Sequence, residues 1–140
     1  MQLRERDRHV VQRAIETYGH LDVMICNAGI GFHDAFDRTP EPVIRRLVDV
    51  NLIGTFYAAH AALEHFVERN AGHIIAVSSI VGRRGTAGSA VYSATKAAQI
   101  GFIEALRAEF IGTGLRASVV FPISTRTEFH ADRWRDWPVG

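Results

Sequence analysis

Three side chains that can exchange protons with an oxygen, those of Ser79, Tyr92 and Lys96, fall within one short stretch of this chain. Tyr92 and Lys96 are four residues apart, so on a helix they share one face. Ser79 stands just past the end of a hydrophobic run, where a hydroxyl can be aimed back at that face. Serine, tyrosine and lysine converging on one point can move a proton onto or off a substrate oxygen. Lys96 is the one lysine among sixteen basic side chains; the others are arginines. Arginine is a fixed planar fork, whereas lysine is a compact ammonium that can sit beside a phenol as a point charge. The plainer alternative is an exposed helix pair, with Ser78 and Ser79 as loop serines bonded to nearby backbone.

Positioning these groups takes a strand, a loop and a helix in that order, and the pattern supplies them. Arg4 to Tyr18 carries Val10, Val11, Ala14 and Ile15 at helical spacing, and Gly19 ends it. Leu21 to Cys26 is a short apolar run, suited to a strand covered on both faces. Asn27-Ala28-Gly29-Ile30-Gly31 turns the chain at that strand's carboxyl end. Thr39 before Pro40 suggests a cap with proline at the first helical position, and the helical pattern runs on to about Arg69. Asn70-Ala71-Gly72 stops it, and His73 to Val77 is a second strand. A glycine-rich loop from Ser78 leads into a helix from about Ser89 to Ile111, ended by Gly112 and Gly114. Arg116 to Phe121 is a third strand, closed by Pro122. Alternating helices and strands predict an α/β fold with a parallel sheet.

The bulk numbers exclude several classes. A formal charge of +1 gives no electrostatic case for nucleic acid or an anionic membrane as partner. No apolar run approaches the length of a membrane span. The single cysteine, Cys26, reads as a small buried hydrophobe; without an internal disulfide the chain suits a reducing, cytoplasmic setting. The seven histidines show no metal-binding pattern, since His60 and His65 are five apart and splay on a helix. Nothing matches a nucleophile elbow or a phosphate-binding P-loop.

Four features together resemble the short-chain dehydrogenase/reductase family in its compact single-domain form. Asn27-Ala28-Gly29 follows a buried strand as the family's Asn-Ala-Gly motif does. Asn51 matches its mid-helix asparagine, Ser79 precedes Tyr92 by thirteen residues, and Tyr92-Ser93-Ala94-Thr95-Lys96 is a Tyr-x-x-x-Lys. The resemblance implies a partial Rossmann-type, doubly wound parallel sheet of about three strands with flanking helices. It implies an oxidoreductase using NAD or NADP on a ketone, aldehyde or secondary alcohol. Tyr92 would be the acid or base, and its phenol, ordinarily titrating at about 10, would be favoured as phenolate by Lys96 and by the positive ring of an oxidised nicotinamide. Lys96 would also bond the nicotinamide ribose, Ser79 would hold the substrate oxygen, and Asn51 would support a water linking Lys96 to solvent. Cofactor contacts would come from Asn27, Ala28, Gly29, Pro122, Ile123 and Thr127 as well. Asn27 is equally readable as a tie between strands. Similar proteins pair subunits through the Tyr92 and Asn51 helices, so a homo-dimer or tetramer is implied.

The sequence departs from the family in three places. No glycine-rich turn of the Thr-Gly-x-x-x-Gly-x-Gly type occurs, and the sequence stops within the family's substrate-covering segment, so residues 1–140 read as the middle portion of one longer NAD(P)-binding domain. Ile123 stands where the family has glycine, which adopts positive φ at no cost. The strand from Leu21 is expected to form a raw edge, with marginal folding and no turnover by this chain alone. Two other readings are a non-catalytic remnant that keeps the site residues, and an extended epimerase or dehydratase; the Asn-Ala-Gly motif and the Ser79 loop fit the latter less well.

Overall fold

The computed structural model describes residues 3–123. Helix α1 (Leu3–Tyr18) leads to strand β1 (Val23–Cys26), a 3-10 turn (Phe36–Arg38) and helix α2 (Glu41–Val48). A five-residue π-turn (Asp49–Ile53) joins α2 to α3 (Gly54–Arg69) without a break. Strand β2 (Gly72–Val77), the single turn α4 (Ile80–Arg83), helix α5 (Ala90–Glu109) and strand β3 (Leu115–Val120) complete the order. The three strands are parallel in the order β1-β2-β3, with Ile25 opposite Ile75 and Ile75 opposite Ser118. The fold is the α/β parallel sheet that the alternation predicts.

Strand periodicity sends alternate side chains to opposite faces. Cys26, Ile74, Ala76, Leu115 and Ala117 meet Ala59, Ala62 and Phe66 of α3 and Ile103 and Leu106 of α5 in one core. Phe66, Ile74 and Ile103 are fully buried, each contributing about 1.5–3 kcal/mol of apolar burial. The opposite face differs from the expectation of double coverage. Among the described residues α1 lies against α3, and α3 and α5 pack on one side of the sheet. Ile25 is consequently 57% exposed, and Val23 and Val120 are also exposed.

Helix boundaries follow local chemistry. The α2 cap falls one residue later than expected: Pro40 is the extended residue before Glu41, and Pro42 lies in the first turn, where no partner for its nitrogen is needed. The Thr39 hydroxyl instead donates to the Ala35 carbonyl. Asn70 ends α3 in the left-handed conformation at φ 48°. Among the described residues it is the one non-glycine with positive φ, so Ile123 is accommodated after β3 without that strain.

Candidate active site

The carboxyl ends of the strands bring the expected residues together. Chain leaving β2 passes Ser78 and Ser79, and Ser79 caps α4 by accepting a hydrogen bond from the Val81 N–H at 3.4 Å. The loop before Tyr92 thus contains a helical turn that periodicity did not reveal. Gly82 presses that turn onto α5: a Cβ there would lie 2.8 Å from the Lys96 carbonyl carbon and 2.9 Å from its oxygen. Ser78, which the sequence left without a role, is buried and donates to the same Lys96 carbonyl at 2.8 Å. Ser78 of the loop and Gly82 of α4 therefore both bear on the α5 turn that carries Lys96.

On α5, Tyr92 and Lys96 share a face as expected. The Ser79 hydroxyl is hydrogen-bonded to the Tyr92 phenol. Lys96 is only 3% exposed; its Nζ donates to the Val77 carbonyl at 2.8 Å and lies 5.8 Å from the Tyr92 ring centre. Burial pulls the Lys96 ammonium down to about 8, because taking a charge out of water favours its neutral form. Burial likewise pushes the Tyr92 phenol up, with the Ser79 hydrogen bond drawing it part of the way back. In the chain by itself burial is the larger effect on both groups; the favouring of the phenolate by Lys96 together with an oxidised nicotinamide ring concerns the cofactor-bound site.

Asn51 sits in the π-turn, completely buried. Its Oδ1 accepts from the Ile30 N–H at 2.8 Å, and its Nδ2 donates to the Ile30 carbonyl at 2.9 Å and to Thr95 Oγ1 at 3.2 Å. A mid-helix asparagine is thereby bonded to the loop that carries Asn27-Ala28-Gly29. Gly29 packs beside both, since a Cβ there would be in ordinary contact, 3.4 Å from Lys96 Nζ and 3.5 Å from Asn51 Oδ1. Asn27 and Ala28 are exposed, and no hydrogen bond of the Asn27 side chain ties the strands together among the described residues. Pro122 and Ile123 follow β3, with Ile123 83% exposed, while Thr127 lies outside the described residues. The Arg83 guanidinium stacks 4.2 Å above the Phe121 ring beside them. Cys26 is buried, with its thiol pushed up to about 11 mainly by that burial. Among the described residues no group of three His, Cys, Asp or Glu side chains could hold a metal ion, and no helix is long and apolar enough to cross a membrane.

The carboxyl ends of the strands of this parallel α/β sheet present a Ser–Tyr–Lys cluster on a nucleotide-binding type of fold. The chain belongs to the short-chain dehydrogenase family, whose sequence model matches residues 1–137. It is 40% identical over 113 residues to an uncharacterised oxidoreductase of Myxococcus xanthus, covering 81% of this chain and 45% of that protein. It is 36% identical to the ketoacyl reductase HetN of a Nostoc species, covering 81% of this chain and 39% of that one. A crystal structure of a short-chain dehydrogenase from Streptomyces avermitilis superposes with a TM-score of 0.83 at 32% identity, covering 91% of this chain and 47% of the other. ElxO with NADP bound superposes at 0.82 and 29% identity, over 87% of this chain and 50% of ElxO. The chain spans about half the length of the curated relatives it matches.

Proposed function

We propose that these residues form the proton-transfer part of an NAD(P)-dependent oxidoreductase acting on a ketone, an aldehyde or a secondary alcohol. The observation that carries the reading is the Tyr92 phenol bonded to Ser79, with the buried Lys96 Nζ beside its ring. In reduction the Tyr92 hydroxyl gives its proton to the substrate oxygen, and in oxidation the phenolate takes it. Ser79 holds that oxygen beside the phenol, and its bond to Tyr92 sets the direction of the shared proton.

The residues present fit a nicotinamide dinucleotide. The missing Gly29 side chain leaves open backbone next to a buried ammonium, a donor suited to ribose hydroxyls. Asn27, Ala28, Pro122 and Ile123 lie exposed at the ends of the two outer strands, where they can line the same crevice. When bound, the nicotinamide supplies the hydride chemistry. Lys96 keeps the ribose side of the site positively charged, and Asn51 keeps the Gly29 loop in place. Both lone pairs of the Asn51 carbonyl are taken, by Thr55 Oγ1 at 2.9 Å and Gln99 Nε2 at 2.7 Å. A water linking Lys96 to solvent would therefore use Asn51 Oδ1. ElxO, solved with NADP bound, supports a nicotinamide cofactor, and the whole protein is read as a homo-oligomer with a small carbonyl or alcohol substrate.

Titration with NADH and NADPH, followed by nicotinamide fluorescence, tests the reading. Saturable binding is expected, weakened about tenfold or more in Lys96→Met through loss of a charged hydrogen bond. A folded sample that binds neither would favour the non-catalytic remnant.

A further inference from the structure

We propose that Gln99 is a positioning residue for this site, holding the π-turn so that Asn51 stays locked on the Ile30 backbone and Lys96 stays packed against Gly29. Gln99 continues the α5 face that carries Tyr92 and Lys96 and is 0% exposed, a position where leucine would be the simple choice. Its amide nitrogen gives both protons to the junction of the π-turn and α3: one to the Asn51 carbonyl at 2.7 Å, the other to Thr55 Oγ1 in the first turn of α3 at 2.9 Å.

The orientation of that amide follows from hydrogen-bond inventory. The single Thr55 hydroxyl proton goes to the Asn51 carbonyl at 2.9 Å, so toward Gln99 the threonine oxygen can only accept. Gln99 must therefore point its NH2 at the turn, and its Oε1 is left buried without a partner. An apolar side chain of equal volume would avoid that uncompensated acceptor. The two donated bonds account for a glutamine here. The turn needs them because its register slips: the Gly54 N–H bonds the Asp49 carbonyl five residues back, and the Asn51 carbonyl turns toward α5 side-chain donors. From Asn51 the link passes through Ile30 to Gly29, whose backbone packs beside Lys96 Nζ.

The single lysine makes this measurable without turnover. Lysine-specific carbon labelling gives one side-chain resonance, that of Lys96, and the Ile30 amide reports the Asn51 clamp. Gln99→Leu keeps the volume and removes the donors; Thr55→Val removes the hydroxyl that orients the amide. In both, the Ile30 amide resonance is expected to move and the Lys96 midpoint to rise by at least about half a pH unit as water reaches the ammonium. Among the described residues no carboxylate pairs with Lys96, so solvation governs that midpoint. Ile103→Val, a core change one turn further along α5, is expected to lower stability and leave both signals in place. If Gln99→Leu does not fold, Thr55→Val decides. Folded Gln99→Leu or Thr55→Val chains with both signals unmoved would overturn the proposal, as would an equal displacement in Ile103→Val. The inference rests on the oxidoreductase reading only for the use made of Lys96. Were that reading wrong, Lys96→Met would leave nicotinamide binding unchanged, while the two signals would still shift in Gln99→Leu and Thr55→Val.

Discussion

Lys96 is the residue on which geometry, charge and chemistry meet. Its ammonium is held at about 8 by burial against an ordinary lysine value of 10.5, so the folded chain binds fewer protons there than the unfolded chain between those limits. Stability therefore rises with pH as the folded chain is relieved of a buried charge. Cys26 acts in the opposite sense from its ordinary thiol value of 9.0 upward, because its folded thiol holds its proton to about 11. Urea unfolding should accordingly show stability increasing from pH 8 to pH 9, and Lys96→Met should abolish that increase. A flat native profile across this interval would count against a buried ammonium. At this scale the sequence was highly legible: the spacing of Ser79, Tyr92 and Lys96 sufficed to place them together. The balance of their pKa shifts was not, since desolvation depends on what covers each group and not on its spacing.

At the scale of elements, the close approach of α4 to α5 is as important as the helix that bears Tyr92. Gly82→Ala would set a methyl 2.8 Å from the Lys96 backbone carbon, where rigid main chain must move. Such overpacking costs about 1–3 kcal/mol, and here it should also disturb the Ser79–Tyr92 bond. A drop of that size in stability, accompanied by weaker nicotinamide binding, is the expected outcome; binding unchanged would show that α4 does not position the site. The turn escaped sequence reading because Ile80-Val81-Gly82-Arg83 is too short for periodicity and looks like loop composition. The π-turn escaped because apolar residues that fall only on or near one stripe do not reveal where a single wider turn shifts the register. A visible trace of it was the polar Gln99, which is itself fully buried one turn beyond Lys96. The Thr39-Pro40 cap was misplaced for a different reason: two prolines, Pro40 and Pro42, both fit a helix start, and only the hydrogen bonds choose between them.

The whole molecule is a sheet with its helices on one side, among the described residues. Strand alternation explains both faces: Ile74 and Ala76 go inward under α3 and α5, while Val23, Ile25 and Val120 remain in solvent. The sequence conveyed apolar strands but not which face each residue would take, because an unbroken apolar run carries no alternation. Among the described residues β1 is an edge strand, and Val23 and Ile25 lie on the uncovered face beside it; both features favour association. Sedimentation of this chain should therefore depend on concentration, and Ile25→Lys should reduce that dependence; a monomer at all concentrations would contradict it. Phe66→Ala, in the covered core, should cost about 3–5 kcal/mol and leave the chain at the edge of folding.

The account rests above all on Tyr92 as the proton donor and acceptor. On the proposed oxidoreductase reading, carbonyl reduction by NADH or NADPH in an active protein carrying this site should fall by about a hundredfold or more in Tyr92→Phe. Nicotinamide affinity should stay within about threefold of the native value, since the lost hydroxyl serves the substrate oxygen. A Tyr92→Phe protein that reduces its carbonyl substrate at the native rate would show that the proton comes from elsewhere and would contradict the assignment.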